Sequence, residues 1–206
     1  MQMAHIFLTS KGFFTESVKA DFLQLIDGRI AALKAAIITT ASSKKEKNPF
    51  AVKTKEDFLE MGLVTVDFLD IEFEDARNLL AYDVFYICGG NPFRLLRELK
   101  ESGAEGVIEE LMERDAIFIG VSAGAMIFGP HIEIVNCFTP SMNTVNLKDL
   151  KALGIFPKPI FPHYGREDKF PDSTGKTVEQ RIAEFEVAHN LQVERLKDSD
   201  VLLIER

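Results

Sequence analysis

Short, almost uninterrupted apolar runs punctuate the first 122 residues: "HIFLTS" (5–10), "AAIITT" (35–40), "LVTVDFLDI" (63–71), "DVFYICGG" (83–90) and "AIFIGVS" (116–122). Runs of this length with little alternation suit strands buried on both faces of a parallel sheet. Between them lie segments of helical period with readable ends. "TESVKADFLQLIDG" starts on Thr15 as N-cap and stops at Gly28, and "TKEDFLEMG" offers Thr54 as N-cap and Gly62 as the stop. In "NPFRLLRELKESG", Asn91 caps, Pro92 fits the first helical position and Gly103 fits a left-handed end. "GAEGVIEELMERD" supplies one more helix before the Ser122 strand. Strand–helix alternation of this kind predicts a three-layer α/β/α fold around a mostly parallel central sheet.

Beyond Pro130 the pattern changes. "HIEIVNCF" (131–138) alternates and predicts a strand, and "IFPKPIFPHYGRED" predicts a strand end opening into a loop. "TVEQRIAEFEVAHN" reads as a helix with a capping box from Thr177 to Gln180. "LQVERL" and "VLLIER" read as a closing hairpin, and the lysine-rich segment 44–55 as a solvated loop. No repeat, low-complexity stretch or linker interrupts residues 1–206, which read as one domain.

Composition narrows the function classes. A net charge of −8 and the absence of a basic stripe argue against nucleic acid as a partner. The N-terminus lacks the basic and apolar regions of a signal peptide, and no apolar stretch approaches the ~20 residues of a membrane helix. Two cysteines are too few for a disulfide framework or a cysteine-based zinc site. These features predict a cytoplasmic protein; no metal or organic cofactor is expected, and the chain is expected as a monomer or small homo-oligomer, a choice that composition does not make.

Chemistry concentrates in "GVSAG". A strand entering a helix through Gly-x-Ser-x-Gly forms an elbow that lifts the serine hydroxyl above the carboxyl end of the sheet. Gly120 and Gly124 leave room for strand and helix to close up, and the following helix start offers free N–H groups to developing negative charge. Ser122 is therefore a candidate nucleophile. The "GGNP" turn places Gly89 and Gly90 at another strand end, where their amides could join that of Ala123 in an oxyanion hole; the same residues also make a good tight turn. Among His5, His131, His163 and His189, only His163 opens a loop directly after a predicted strand, which makes it the candidate base, with His131 in reserve.

Taken together, "YICGGNPFRLL", "IGVSAGA", "FPHYGRED" and "GKTVEQRI" resemble the S51 serine peptidases, the dipeptidase E family that also includes cyanophycinase. The resemblance implies a fold like the class I glutamine amidotransferase domains, flavodoxin-like in outline. It further implies hydrolysis of short peptides, with Ser122 as nucleophile, His163 as base, and the amides of Gly90 and Ala123 as oxyanion hole.

Two departures from the family pattern shape the remaining expectations. Its acidic triad member falls on Cys137 here, and Glu133 is the nearest carboxylate, about 13 Å away along a strand. Glu133 is thus the candidate orienting acid, provided a bulge or similar shift brings it closer. The family's aspartate-recognising arginine falls on Val178, which leaves Arg166, Lys169, Lys176 or Arg181 to meet a substrate carboxylate. Arg166 is taken as the substrate-binding candidate, and Arg181 as a brace for its helix. Two other readings remain open: a pseudoenzyme or small-ligand binding protein on the same fold, and an esterase using Ser122, Glu133 and His163 in α/β-hydrolase chain order.

Overall fold

The computed structural model describes residues 4–13, 16–26 and 28–206. In chain order the principal elements are β1 (His5–Thr9), α1 (Glu16–Leu25), β2 (Lys34–Ile38), α2 (Pro49–Met61), β3 (Thr65–Leu69), β4 (Val84–Ile87), α3 (Pro92–Glu101), α4 (Ala104–Met112) and β5 (Ile117–Val121). They continue with α5 (Ala123–Met126), α6 (Val135–Phe138), β6 (Ile160–Phe161), α7 (Val178–His189), β7 (Glu194–Arg195) and β8 (Val201–Glu205). The main sheet runs β3-β2-β4-β5-β1-β8, parallel except for β8, which lies antiparallel to β1 at the edge.

The apolar runs form strands because each has two apolar faces to bury. Ile6, Leu8, Phe85, Ile87 and Phe118 enter one core, while Phe7, Val84, Tyr86, Ile117 and Ile119 enter the other. This period of two sends alternate side chains into opposite helical layers, and water on either face would expose large apolar area. A third apolar cluster, including Phe93, Met126, Ile132, Phe161, Ile182 and Phe185, lies beneath α7.

Several local expectations hold. Asn91 accepts from the amides of Phe93 and Arg94, Thr177 and Gln180 form the reciprocal capping box, and Gly62 ends α2 with φ 109°. Thr15, read as the cap of α1, lies outside the described residues. Others are corrected. Segment 49–55 belongs to α2, whose cap is Asn48; Thr54 sits inside the helix and donates to the Phe50 carbonyl. Within the lysine-rich stretch only 44–48 is non-α, and there Lys45 is pinned by Asp70 and Glu72.

Residues 131–138 are not a strand. β5 already has β4 and β1 on its two sides, so no sheet edge is open there. The segment instead makes one bridge, His131 with Lys151, and then turns into α6. The C-terminal runs do not pair with each other either. β8 closes the main sheet against β1, and β7 pairs in parallel with β6. Among the described residues no helix is long and apolar enough to cross a membrane.

Candidate active site

The carboxyl ends of β4, β5 and β1 lie side by side. Ile87 is in register with Gly120, and Thr9 with Val121, so Gly89 and Gly90 flank one side of Ser122 and Ser10 the other. The Ser122 amide donates to the Thr9 carbonyl at 2.9 Å. Its backbone turns sharply at φ 52°, ψ −110°, a region that costs a non-glycine residue roughly 1–3 kcal/mol and persists where neighbours enforce it. The two glycines of the motif make this possible. A Cβ on Gly120 would lie 2.5 Å from the Gly124 carbonyl oxygen, and one on Gly124 would lie 2.2 Å from that of Ile87.

The second half of the site is built by the short β6–β7 pair. Phe161 stands opposite Arg195, so the residues just beyond each strand, His163 and Asp198, emerge at the same end. Ser10, fully buried, ties both loops to β1: its hydroxyl accepts from the His163 amide at 2.9 Å and donates to the Leu196 carbonyl at 2.9 Å. His163 Nε2 lies 3.2 Å from Ser122 Oγ, and its Nδ1 lies 2.7 Å from Asp198 Oδ1. Because an ionised carboxylate only accepts, Nδ1 carries the proton and Nε2 presents its lone pair to the serine.

Asp198 is also held by Lys11 Nζ at 2.9 Å and Arg166 Nη1 at 2.8 Å, both on Oδ2. Burial works against its ionisation. The hydrogen bonds from His163, Lys11 and Arg166 outweigh that and keep the carboxyl well below the usual carboxylate range. His163 moves down from 6.5: burial disfavours its charged form more than Asp198 supports it, and Lys169 and Lys11 add repulsion. The imidazole is thus neutral, and able to accept a proton, at neutral pH.

Lys169 completes the cluster. Two successive turns, Arg166 N–H to His163 O and Lys169 N–H to Arg166 O, fold the loop back so that Lys169 Nζ lies 3.4 Å from His163 Nε2. The next residue, Phe170, is fixed against Phe138 and Phe161, and its carbonyl accepts from Arg181.

The residues expected from sequence separate into two groups. Ser122 and His163 come together, and Gly90 and Ala123 flank the serine with amides that meet no acceptor among the described residues. Gly90 adopts φ 149°, and a Cβ there would lie 2.2 Å from the Ala41 carbonyl oxygen. Beside it opens a cleft of about 580 Å³, lined in part by Ser42, Phe50, Asn91 and Arg94.

Glu133 is not with His163. It faces His189 Nε2 at 3.7 Å, because segment 131–138 turns away from the sheet, and Asp198 occupies the position at His163 Nδ1. Cys137 is exposed in α6, where its carbonyl accepts from Arg181. Arg166 spends its guanidinium on Asp168 and Asp198, so the loop's own carboxylates hold the donors foreseen for a substrate. Arg181 does brace its helix, bonding the carbonyls of Phe170 and Cys137 and lying over the Phe138 ring. Among the described residues no cluster of His, Cys, Asp or Glu could hold a metal ion.

Comparison with known proteins bears on the family and the fold. The family model described as peptidase family S51 matches residues 6–206. An uncharacterized peptidase of Listeria monocytogenes is 30% identical over 189 residues, covering 90% of this chain and 89% of that protein. A peptidase E of Escherichia coli strain 536 is 29% identical over 165 residues, covering 79% of this chain and 69% of the relative. The crystal structure of a Listeria monocytogenes protein bearing the peptidase E name superposes with a TM-score of 0.77 at 28% identity, covering 98% of this chain and 95% of the other. The shared fold is flavodoxin-like.

Proposed function

The chain belongs to peptidase family S51 and is a serine-type peptidase; on that premise we propose that it cleaves short peptides with Ser122, His163 and Asp198 acting as one unit. The observation that carries the assignment is the unbroken chain Ser122 Oγ, His163 Nε2, His163 Nδ1, Asp198 Oδ1, at 3.2 and 2.7 Å. In this reading the peptide carbonyl lies over Ser122. His163 takes the hydroxyl proton as Oγ attacks, and Asp198 fixes the tautomer and stabilises the imidazolium that results. The Gly90 and Ala123 amides receive the oxyanion, since they meet no competing acceptor among the described residues. His163 then delivers its proton to the departing amine, and water repeats the sequence on the acyl-enzyme.

The pseudoenzyme reading rested on the loss of the family's acid at Cys137. Asp198 lies 2.7 Å from His163 Nδ1, which supports the peptidase reading over that one. The esterase reading rested on the order Ser, Glu, His; the order found, Ser122, His163, Asp198, is not that of the α/β-hydrolases. The test is hydrolysis of a dipeptide panel by Ser122→Ala, His163→Ala and the double variant. Each single variant should lose most of the activity, up to about 10⁶ in kcat, and the double little more. Near-normal turnover by either would refute the assignment.

A further inference from the structure

The candidate site carries more positive charge than the chain itself answers. Lys11 and Arg166 both engage Asp198, and Arg166 is shared with Asp168. Lys169 is different: its ammonium makes no ion pair with any carboxylate among the described residues, and its nearest partner is the imidazole nitrogen of His163 at 3.4 Å. The residue is exposed, and partial desolvation by its neighbours lowers this ammonium from its ordinary 10.5. The side chain stays open to solvent, so an ammonium with no carboxylate of its own stands accessible beside the reacting centre, where a ligand's carboxylate can meet it.

From this position, and resting on the Ser122–His163 reading above, the geometry points to Lys169 as the residue that binds the free α-carboxylate of the leaving amino acid. The departing nitrogen must come within about 3 Å of His163 Nε2 to take its proton. In a dipeptide the terminal carboxylate carbon lies two covalent bonds from that nitrogen, roughly 2.5 Å away. An ammonium 3.4 Å from the same Nε2 can therefore meet the carboxylate without any backbone movement. A longer peptide puts an uncharged amide at this place. Lys169 thus selects substrates with a single residue beyond the scissile bond.

The contact also couples binding to catalysis. In the free enzyme, Ser122 and Lys169 compete as donors for one lone pair on Nε2. A bound carboxylate draws the ammonium off and leaves that lone pair to the serine. Anchoring is aided by Phe170, whose ring and carbonyl are both fixed, so Lys169 is presented from a held point of the loop.

The test compares a dipeptide with its C-terminal amide, using the acyl residue that wild type turns over fastest, in wild type, Lys169→Met and Lys169→Arg. Wild type should favour the free acid by about tenfold to a hundredfold in kcat/KM, the range of a charge-assisted bond. In Lys169→Met the ratio should collapse to near one, and Lys169→Arg should retain most of it. A ratio unchanged in Lys169→Met, or uniform loss on acid and amide alike, would overturn the assignment. So would a change in the Asp-over-Asn preference for the acyl residue in place of the acid-to-amide ratio, since that puts the lysine on the other side of the scissile bond. Failure of the underlying reading looks different: Ser122→Ala would then still hydrolyse both substrates.

Discussion

His163 Nδ1 and Asp198 Oδ1 stand 2.7 Å apart, although 35 residues separate them, because β6 and β7 pair in parallel and both chains leave the pair at the same end. In the proposed mechanism the carboxylate that orients the base therefore comes from the loop between β7 and β8. Three donors hold it: His163, Lys11 and Arg166.

Asp198→Asn should lower kcat/KM by about 10⁴, because the amide no longer stabilises the imidazolium and favours the wrong tautomer. Glu133→Gln should change it by less than about threefold, as its half-exposed side chain faces His189 and not His163. Steady-state kinetics on one dipeptide decides the matter. The reverse ranking would return the orienting role to Glu133.

The pH profile follows from His163. Protonation removes the lone pair needed for proton abstraction, so kcat/KM should climb with pH through an apparent pKa below 6.5 and then level. Asp198 raises this pKa and Lys169 lowers it. Asp198→Asn should therefore shift the imidazole titration further down, and Lys169→Met should shift it up, as read by NMR. Opposite signs would mean that these groups do not face the imidazole.

How much of this was legible in the sequence depends on how local each signal is. The elbow is written within five residues, and the buried strands show as runs whose alternate residues fill two cores, so Ser122 and the sheet could be read directly. His163 followed from its place after a proline-rich strand. Asp198 could not be found this way, because its position depends on a two-residue pairing between β6 and β7. The two C-terminal apolar runs favoured a hairpin reading, which hid that pairing. A signal was present: "KDSD" is an acidic strand-end loop, the same kind of position that singled out His163. The strand expected at 131–138 failed for a related reason. Its alternation reflects Ile132 and Ile134 packing beneath α7, not a sheet partner.

Ser10→Ala should weaken both stability and catalysis. Removing the hydroxyl strands the His163 amide and cuts the tie to Leu196. The cost should be about 1–3 kcal/mol, or roughly 2–12 °C in Tm for a chain of this size. Loosening the loops that carry His163 and Asp198 should lower kcat/KM by about tenfold to a hundredfold. Thermal unfolding and kinetics on the same preparation check both, and an unchanged kcat/KM would show that Ser10 does not position the site.

Selectivity for an N-terminal aspartate should be weak. Val178 is 0% exposed within the cluster beneath α7, and Arg166 is already bound to two carboxylates. With neither position supplying a free bidentate donor, the acyl side has little to distinguish aspartate from neutral residues. In a matched series of Asp, Asn, Leu and Ala dipeptides, the aspartate advantage should stay below about tenfold. An advantage above about a hundredfold, some 2.7 kcal/mol, would require another cation on the acyl side.

The most direct test of the central assignment is covalent labelling of the nucleophile. Wild-type protein treated with a fluorophosphonate should gain one adduct by intact-mass spectrometry, and peptide mapping should place it on Ser122. Labelling should be lost in Ser122→Ala and strongly slowed in His163→Ala, because the serine depends on the imidazole for activation. Failure of the wild type to label, or an adduct on any residue other than Ser122, would contradict the account.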